Sequence, residues 1–223
     1  PVNSHLEDVN MLVSFDAETV FRHADKVSPN DVIIYDSSLA ETVLEEVPTI
    51  DFEANKRISK LLQDSGVSQK LIGMLDLARS RGCTVYGLPY YEMIEAVGRN
   101  LDDPKLSKLS RVVNVMAISA SLSLLGIKKD MLISAIKDVF GSKPKLLSSN
   151  IEAAEYAYSY INTKFDAKNI KCKITPKAVL KDYVLISGSQ AAAIGKILGG
   201  CRLQTYYPIT PASDESEFLE SNQ

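Results

Sequence analysis

Two hydrophobic rhythms alternate along the first ninety positions. Residues 11–15 (Met-Leu-Val-Ser-Phe), 32–35 (Val-Ile-Ile-Tyr) and 84–86 (Thr-Val-Tyr) are short apolar or β-branched runs. Such runs suit strands buried on both faces. Between them the apolar residues recur at helical spacing: Val20, Phe21 and Ala24; Ile58, Leu61 and Leu62; Leu71, Met74, Leu75 and Ala78. Asp16 stands where a helix N-cap is needed. Pro29-Asn30-Asp31 reads as the break after the first helix, Asp36-Ser37-Ser38 as a loop, and Ser65-Gly66 and Gly82 as helix stops. Strands separated by helices predict an α/β fold with a parallel sheet and crossover helices.

The middle of the chain loses the strand rhythm. Asp103-Pro104 predicts an N-cap followed by proline at the first helical position. Residues 106–125 are then apolar on most faces, up to Gly126. Lys105, Lys108 and Arg111 crowd the start of that stretch, so it reads as a buried helix rather than a membrane span. Residues 129–140, ended by Gly141, predict a second helix. Residues 150–165, with Ile151, Ala154, Ala157, Tyr158 and Ile161 on one side, predict a third. Residues 166–182 are lysine-rich without a period and read as a linker. A new α/β unit follows: a strand over 183–186, a Ser187-Gly188-Ser189 turn, an Ala-rich helix over 190–198 ended by Gly199-Gly200, and a strand over 201–207. The chain then runs through Pro208-Ile209-Thr210-Pro211 into an acidic helix start. Proline on either side restricts the backbone around Thr210, so its hydroxyl is presented with little freedom. A hydroxyl held at the mouth of an α/β unit can bind a small carboxylate or a cofactor edge.

Composition narrows the function. The 223 residues carry a net charge of −3, with 45% hydrophobic and 24% charged residues. That mix suits a soluble globular protein and gives no electrostatic case for nucleic acid or an anionic membrane. The first residues have no signal-peptide pattern. Cys83, Cys172 and Cys201 are widely spaced, which argues against a disulfide framework or a cysteine-held metal and suggests a reducing cytoplasm. The missing initiator Met and the acidic helix that starts near Ser213 predict that the sequence is a piece of a longer protein.

Several groups offer candidate chemistry. The Gly188 turn before a helix could place N–H groups near a phosphate, although the full dinucleotide-binding glycine pattern is absent. His5 and His23 lack neighbours at ligand spacing, so no metal site is expected. Cys172 lies between Lys171 and Lys173, which could lower a thiol pKa, and otherwise reads as an ordinary linker thiol. Asp214, Glu215 and Glu217 are expected to cap the last helix.

Three stretches together resemble a known family: residues 188–195 (Gly-Ser-Gln-Ala-Ala-Ala-Ile-Gly), 199–202 (Gly-Gly-Cys-Arg), and 207–215, which opens on Tyr207-Pro208-Ile209-Thr210-Pro211. They are similar to the start of the pyrimidine domain of 2-oxoacid:ferredoxin oxidoreductase alpha subunits. Residues 12–20 and the Ser/Ala-rich helix near 112–125 resemble the later part of the gamma domain, which archaeal two-subunit enzymes fuse ahead of the alpha domain.

The resemblance implies an incomplete gamma domain over 1–165, a linker over 166–182, and over 183–223 the first βαβ of a thiamine-diphosphate-type pyrimidine domain. It implies oxidative decarboxylation of 2-oxoacids, pyruvate and 2-oxoglutarate among them, with the acyl group passing to coenzyme A and electrons to ferredoxin. Thiamine diphosphate, Mg2+ and a 4Fe-4S cluster are expected mainly on the partner beta subunit of a heterodimer. Thr210 is expected to bind the substrate carboxylate, with Tyr207, Pro208, Ile209 and Pro211 beside the cofactor. Ser189 stands where many members have Asn, and the family's pyrimidine-activating glutamate and substrate-binding arginine are not in this sequence. The chain by itself is therefore expected to be inactive. The residues also leave open a non-catalytic assembly module, or an unrelated nucleotide-binding α/β protein using the Gly188 turn.

Overall fold

In the computed structural model, residues 8–102, 110–165, 170, 172–175 and 183–222 are described. Three parallel strands, β1 (Val9–Val13), β2 (Val27–Asp36) and β3 (Thr84–Leu88), form a sheet in the order β1-β2-β3. Their apolar runs are continuous because both faces are covered. On one face Leu12, Ile33 and Tyr35 pack under three helices: α1 (Ala17–His23), α2 (Phe52–Asp64) and α3 (Leu71–Ser80). On the other face Val32, Ile34, Tyr86 and Leu88 pack under α4 (Tyr90–Asn100), α5 (Val113–Leu124) and α7 (Pro144–Lys164), with α6 (Lys129–Phe140) against α7. No described helix is long and apolar enough to cross a membrane.

Local chemistry explains the element ends. The Asp16 carboxylate caps α1, accepting from Thr19 N at 2.7 Å. Asp51 caps α2, accepting from Ala54 N at 2.9 Å. Arg22 ties the two helices together, donating to Glu18 at 2.6 Å and to Asp51 at 3.0 Å. The Ala54 N–H, followed by the Arg22 guanidinium, holds the Asp51 carboxyl below the usual range. Gly82, at φ 95°, makes the turn into β3, a conformation costly for residues with a Cβ. Gly73 serves packing instead. A Cβ there would sit 2.1 Å from the Ser68 carbonyl oxygen. Gly73→Ala is expected to lower stability by about 1–3 kcal/mol, the usual scale of overpacking. A urea titration with unchanged midpoint would disprove that contact.

The structure departs from the pattern-based expectations first in four places. Pro29-Asn30-Asp31 does not break a helix; it lies inside β2. The pairing jumps from Val9–Val27 to Met11–Val32, and the extra β2 residues form a bulge. There proline costs no ladder bond, Asn30 adopts φ 72° and donates to Gly82 O at 3.0 Å, and buried Asp31 accepts from Asn10 Nδ2 at 2.7 Å. Helix α4 was not anticipated. Helix α7 begins at Pro144, ahead of the expected start at 150, because proline at its first turn needs no intrahelical donor. The fourth departure concerns residues 183–186 and 201–207, which carry no strand pairing among the described residues. They lie outside helices and strands, with Val184, Leu185, Leu203 and Tyr207 exposed. Strand character in their side chains cannot become a ladder without a neighbouring strand.

The expected cap at Asp103-Pro104 lies outside the described residues, as does most of 166–182. Of that stretch, Ile170 is buried in the cluster under α4, α5 and α7, and Ile174 N donates to Leu125 O at 3.0 Å. The chain divides into two compact units, Pro1–Pro176 and Lys177–Gln223. The second unit is built on α8 (Gly188–Leu198) and α9 (Ala212–Ser221), which pack on each other.

Candidate functional site

The Tyr207–Pro211 loop enters α9 directly. Its five residues are all exposed, Tyr207 at 78%. Ile209 N donates to Tyr207 O at 2.7 Å, and Ser213 N donates to Ile209 O at 3.1 Å, so the loop folds tightly onto the first turn of the helix. The Thr210–Pro211 peptide is cis. Thr210 is an exposed residue of this turn.

A polar network anchors the segment leading to it. Gln204 Nε2 donates to buried Ser216 of α9 at 2.8 Å, and Gln204 Oε1 accepts from Lys196 of α8 at 3.1 Å. Lys196 also pairs with Glu215. Asp214 and Glu215 lie in the first turn of α9, where the helix dipole favours negative charge, but no side chain makes a capping hydrogen bond there, and Glu215 also joins the two helices. Beside this network lies a cavity of about 420 Å³, whose lining includes Ile197, Leu203, Tyr206 and Leu219.

Two of the donors at the Gly188 turn are occupied by side chains. Ser187 Oγ accepts from Gln190 N at 3.2 Å, and Gln190 Oε1 accepts from Ser187 N at 2.9 Å, a reciprocal capping box. Ser187, Gly188 and Ser189 are accordingly a cap and first helical turn, not a separate tight turn.

The remaining candidates are not brought together. His23 ends α1 and His5 lies outside the described residues. Among the described residues no group of three His, Cys, Asp or Glu is placed to hold a metal ion. Cys83 is buried, with its thiol pKa pushed up chiefly by that burial. Cys172 is half-buried and packs against the α4/α5/α7 core, while its neighbour Lys173 donates to Leu124 O at 2.8 Å at the end of α5. Cys201 is exposed.

Residues 1–160 match the protein family described as pyruvate ferredoxin/flavodoxin oxidoreductase. The chain belongs to this family. Curated relatives extend the likeness through the Thr210 loop. The 2-oxoacid:ferredoxin oxidoreductase 1 subunit alpha of Sulfurisphaera tokodaii is 34% identical over 222 residues, covering 100% of this chain and 34% of its own. The corresponding subunit of Saccharolobus solfataricus is 34% identical over 226 residues. Subunit alpha of a second such enzyme, from Aeropyrum pernix, is 28% identical over 96% of the chain. The chain spans about a third of the length of each of these relatives. Among solved structures, a 2-oxoglutarate:ferredoxin oxidoreductase from Magnetococcus marinus, with 2-oxoglutarate, coenzyme A and succinyl-CoA bound, shares the fold. Its TM-score is 0.61 at 20% identity, over 96% of this chain and 30% of that one.

Sequence reasoning missed one group that the structure makes conspicuous. Tyr90 begins α4 at the end of β3, is 3% exposed, and its hydroxyl has no hydrogen-bond partner. Burial, then the Asp36 charge, push its pKa up. The spacing Tyr90, Met93, Ile94, Val97 could have revealed the helix, but nothing in it reveals a hydroxyl without a partner.

Proposed function

We propose that this chain is part of the alpha subunit of a 2-oxoacid:ferredoxin oxidoreductase, which decarboxylates 2-oxoacids oxidatively and passes the acyl group to coenzyme A and electrons to ferredoxin. The observation that carries this reading is the exposed, braced Tyr207–Pro211 loop in a chain that belongs to the family. Residues 1–165 are read as the later gamma domain, 166–182 as a linker and 183–223 as the start of the pyrimidine domain, in a cytoplasmic heterodimer with a beta subunit.

In this reading Thr210 donates a hydrogen bond to the substrate carboxylate. The backbone around it costs little to organise, since the turn is already closed by the Ile209 and Ser213 amides. Tyr207, Pro208, Ile209 and Pro211 give the apolar surface that an aminopyrimidine edge and a neighbouring subunit would cover. Thiamine diphosphate, when bound, would supply the electron sink for decarboxylation. Its Mg2+ and the 4Fe-4S cluster are assigned mainly to the partner subunit.

Co-expression of the full-length protein with its beta subunit tests the activity. The purified pair should reduce ferredoxin or a viologen dye only when a 2-oxoacid and coenzyme A are both supplied. Should pyruvate, 2-oxoglutarate and branched-chain 2-oxoacids all fail with a cofactor-loaded pair, the reading is wrong.

A further inference from the structure

Three segments stand at the carboxyl ends of the parallel strands in the first unit: residues 14–16 after β1, 36–38 from the last residue of β2, and 88–90 from the last residue of β3 into α4. Open α/β sheets place ligands along this edge. Most of its polar atoms are already engaged. Ser14 N donates to Ile34 O at 2.9 Å and Ser14 Oγ donates to Asp16 O at 2.6 Å. Asp16 spends one oxygen on Thr19 N at 2.7 Å and the other on Thr19 Oγ1 at 3.1 Å. Asp36 Oδ1 accepts from Ser38 N at 3.0 Å and from Ser38 Oγ at 2.7 Å. The Tyr90 hydroxyl is different, being buried with no partner. Its ring lies against Phe15 of the first loop, with centroids 5.7 Å apart, and Asp36 pairs across the sheet with Leu88, two residues before Tyr90.

A phenol needing an acceptor and a carboxylate able to accept more are matched by a group that both accepts and donates, which is a hydroxyl. An anion fits poorly. Asp16 and Asp36 repel it, residues 14–16, 36–38 and 88–90 contain no Lys or Arg, and the N-terminus of α1 already holds the Asp16 carboxylate. Phe15 is 42% exposed, so an aromatic face is open to a flat ring beside the polar pair. We propose that this edge binds a nucleoside, with a sugar hydroxyl donating to Asp36 and accepting from Tyr90 and the base resting on Phe15. The site belongs to the first unit and favours a phosphate-free ligand. Rotation of the part-exposed Phe15 ring is the way in, a motion fast for surface side chains.

Adenosine titrated into this 223-residue chain by calorimetry, beside adenosine monophosphate, tests the proposal. Saturable adenosine binding, weaker for the monophosphate, is the expected result. Tyr90→Phe deletes only the hydroxyl, so adenosine should bind about tenfold more weakly or worse. Its melting temperature should not fall, because no protein partner is lost. Asp36→Asn, which keeps an oxygen for Ser38, should weaken adenosine as well. Absence of saturable adenosine binding, tighter binding of the monophosphate, or unchanged affinity in Tyr90→Phe would each overturn it. The comparison of the two ligands uses only the natural sequence, so it stands even if a variant fails to fold.

Discussion

Thr210→Ala, made in the full-length protein paired with its beta subunit, is expected to lower kcat/KM for a 2-oxoacid about tenfold to hundredfold. The expectation follows from removing one charge-assisted hydrogen bond, worth roughly 1.5–3 kcal/mol. Thr210→Ser should keep most of the activity, since the hydroxyl remains and the prolines on either side still restrict the turn. Stability should be untouched, because Thr210 is exposed and the Ile209 and Ser213 amides close the turn without its side chain. Equal kcat/KM in the alanine variant and the wild type would leave the loop as an interface turn only, the assembly reading that the exposed Tyr207 and Ile209 favour.

Phe21→Ala is expected to destabilise the first unit by about 3–5 kcal/mol, the range for emptying a buried aromatic site. Phe21 is 1% exposed in the cluster beneath the sheet, together with Val20, Leu71, Met74 and Leu75. Domains are stable by only about 5–15 kcal/mol, so the loss removes a large share of the margin. Circular dichroism melts should show a lowered midpoint. A drop under about 1 kcal/mol would mean that α1 repacks over the gap and that its position on the sheet is not set by this ring. Phe21 and Thr210 belong to different units of the chain, so the two measurements report on each separately.

The difference between what could be read in advance and what could not follows the reach of each interaction. Asp16 as a cap, Gly66 and Gly82 as stops and the Leu71–Ala78 face depend on residues within one or two turns, and the structure has them as the periodicity predicts. The Pro29–Asp31 bulge depends on Gly82, some fifty residues away, whose carbonyl receives the Asn30 amide; local composition there resembles any turn. Local charge makes Glu215 legible at a helix start, where it does lie, but its pairing with Lys196 on another helix is not legible from neighbours in sequence. The proline pair beside Thr210 made a tight turn legible there, while its role rests on the family resemblance. Tyr90 was not, because a missing partner leaves no trace in the order of residues. The helix it starts was legible in principle, since Met93, Ile94 and Val97 continue its face.

The bare segments around α8 bear on how a polypeptide of this extent behaves in solution. Residues 183–186 and 201–207 offer amide donors and acceptors with no ladder, next to outward-facing Val184, Leu185, Leu203 and Tyr207. Such backbone is a template for any other extended chain. Produced by itself, the polypeptide should be adhesive at high concentration, gathering copies of itself through edge-to-edge stacking or recruiting chaperones while its first unit stays intact.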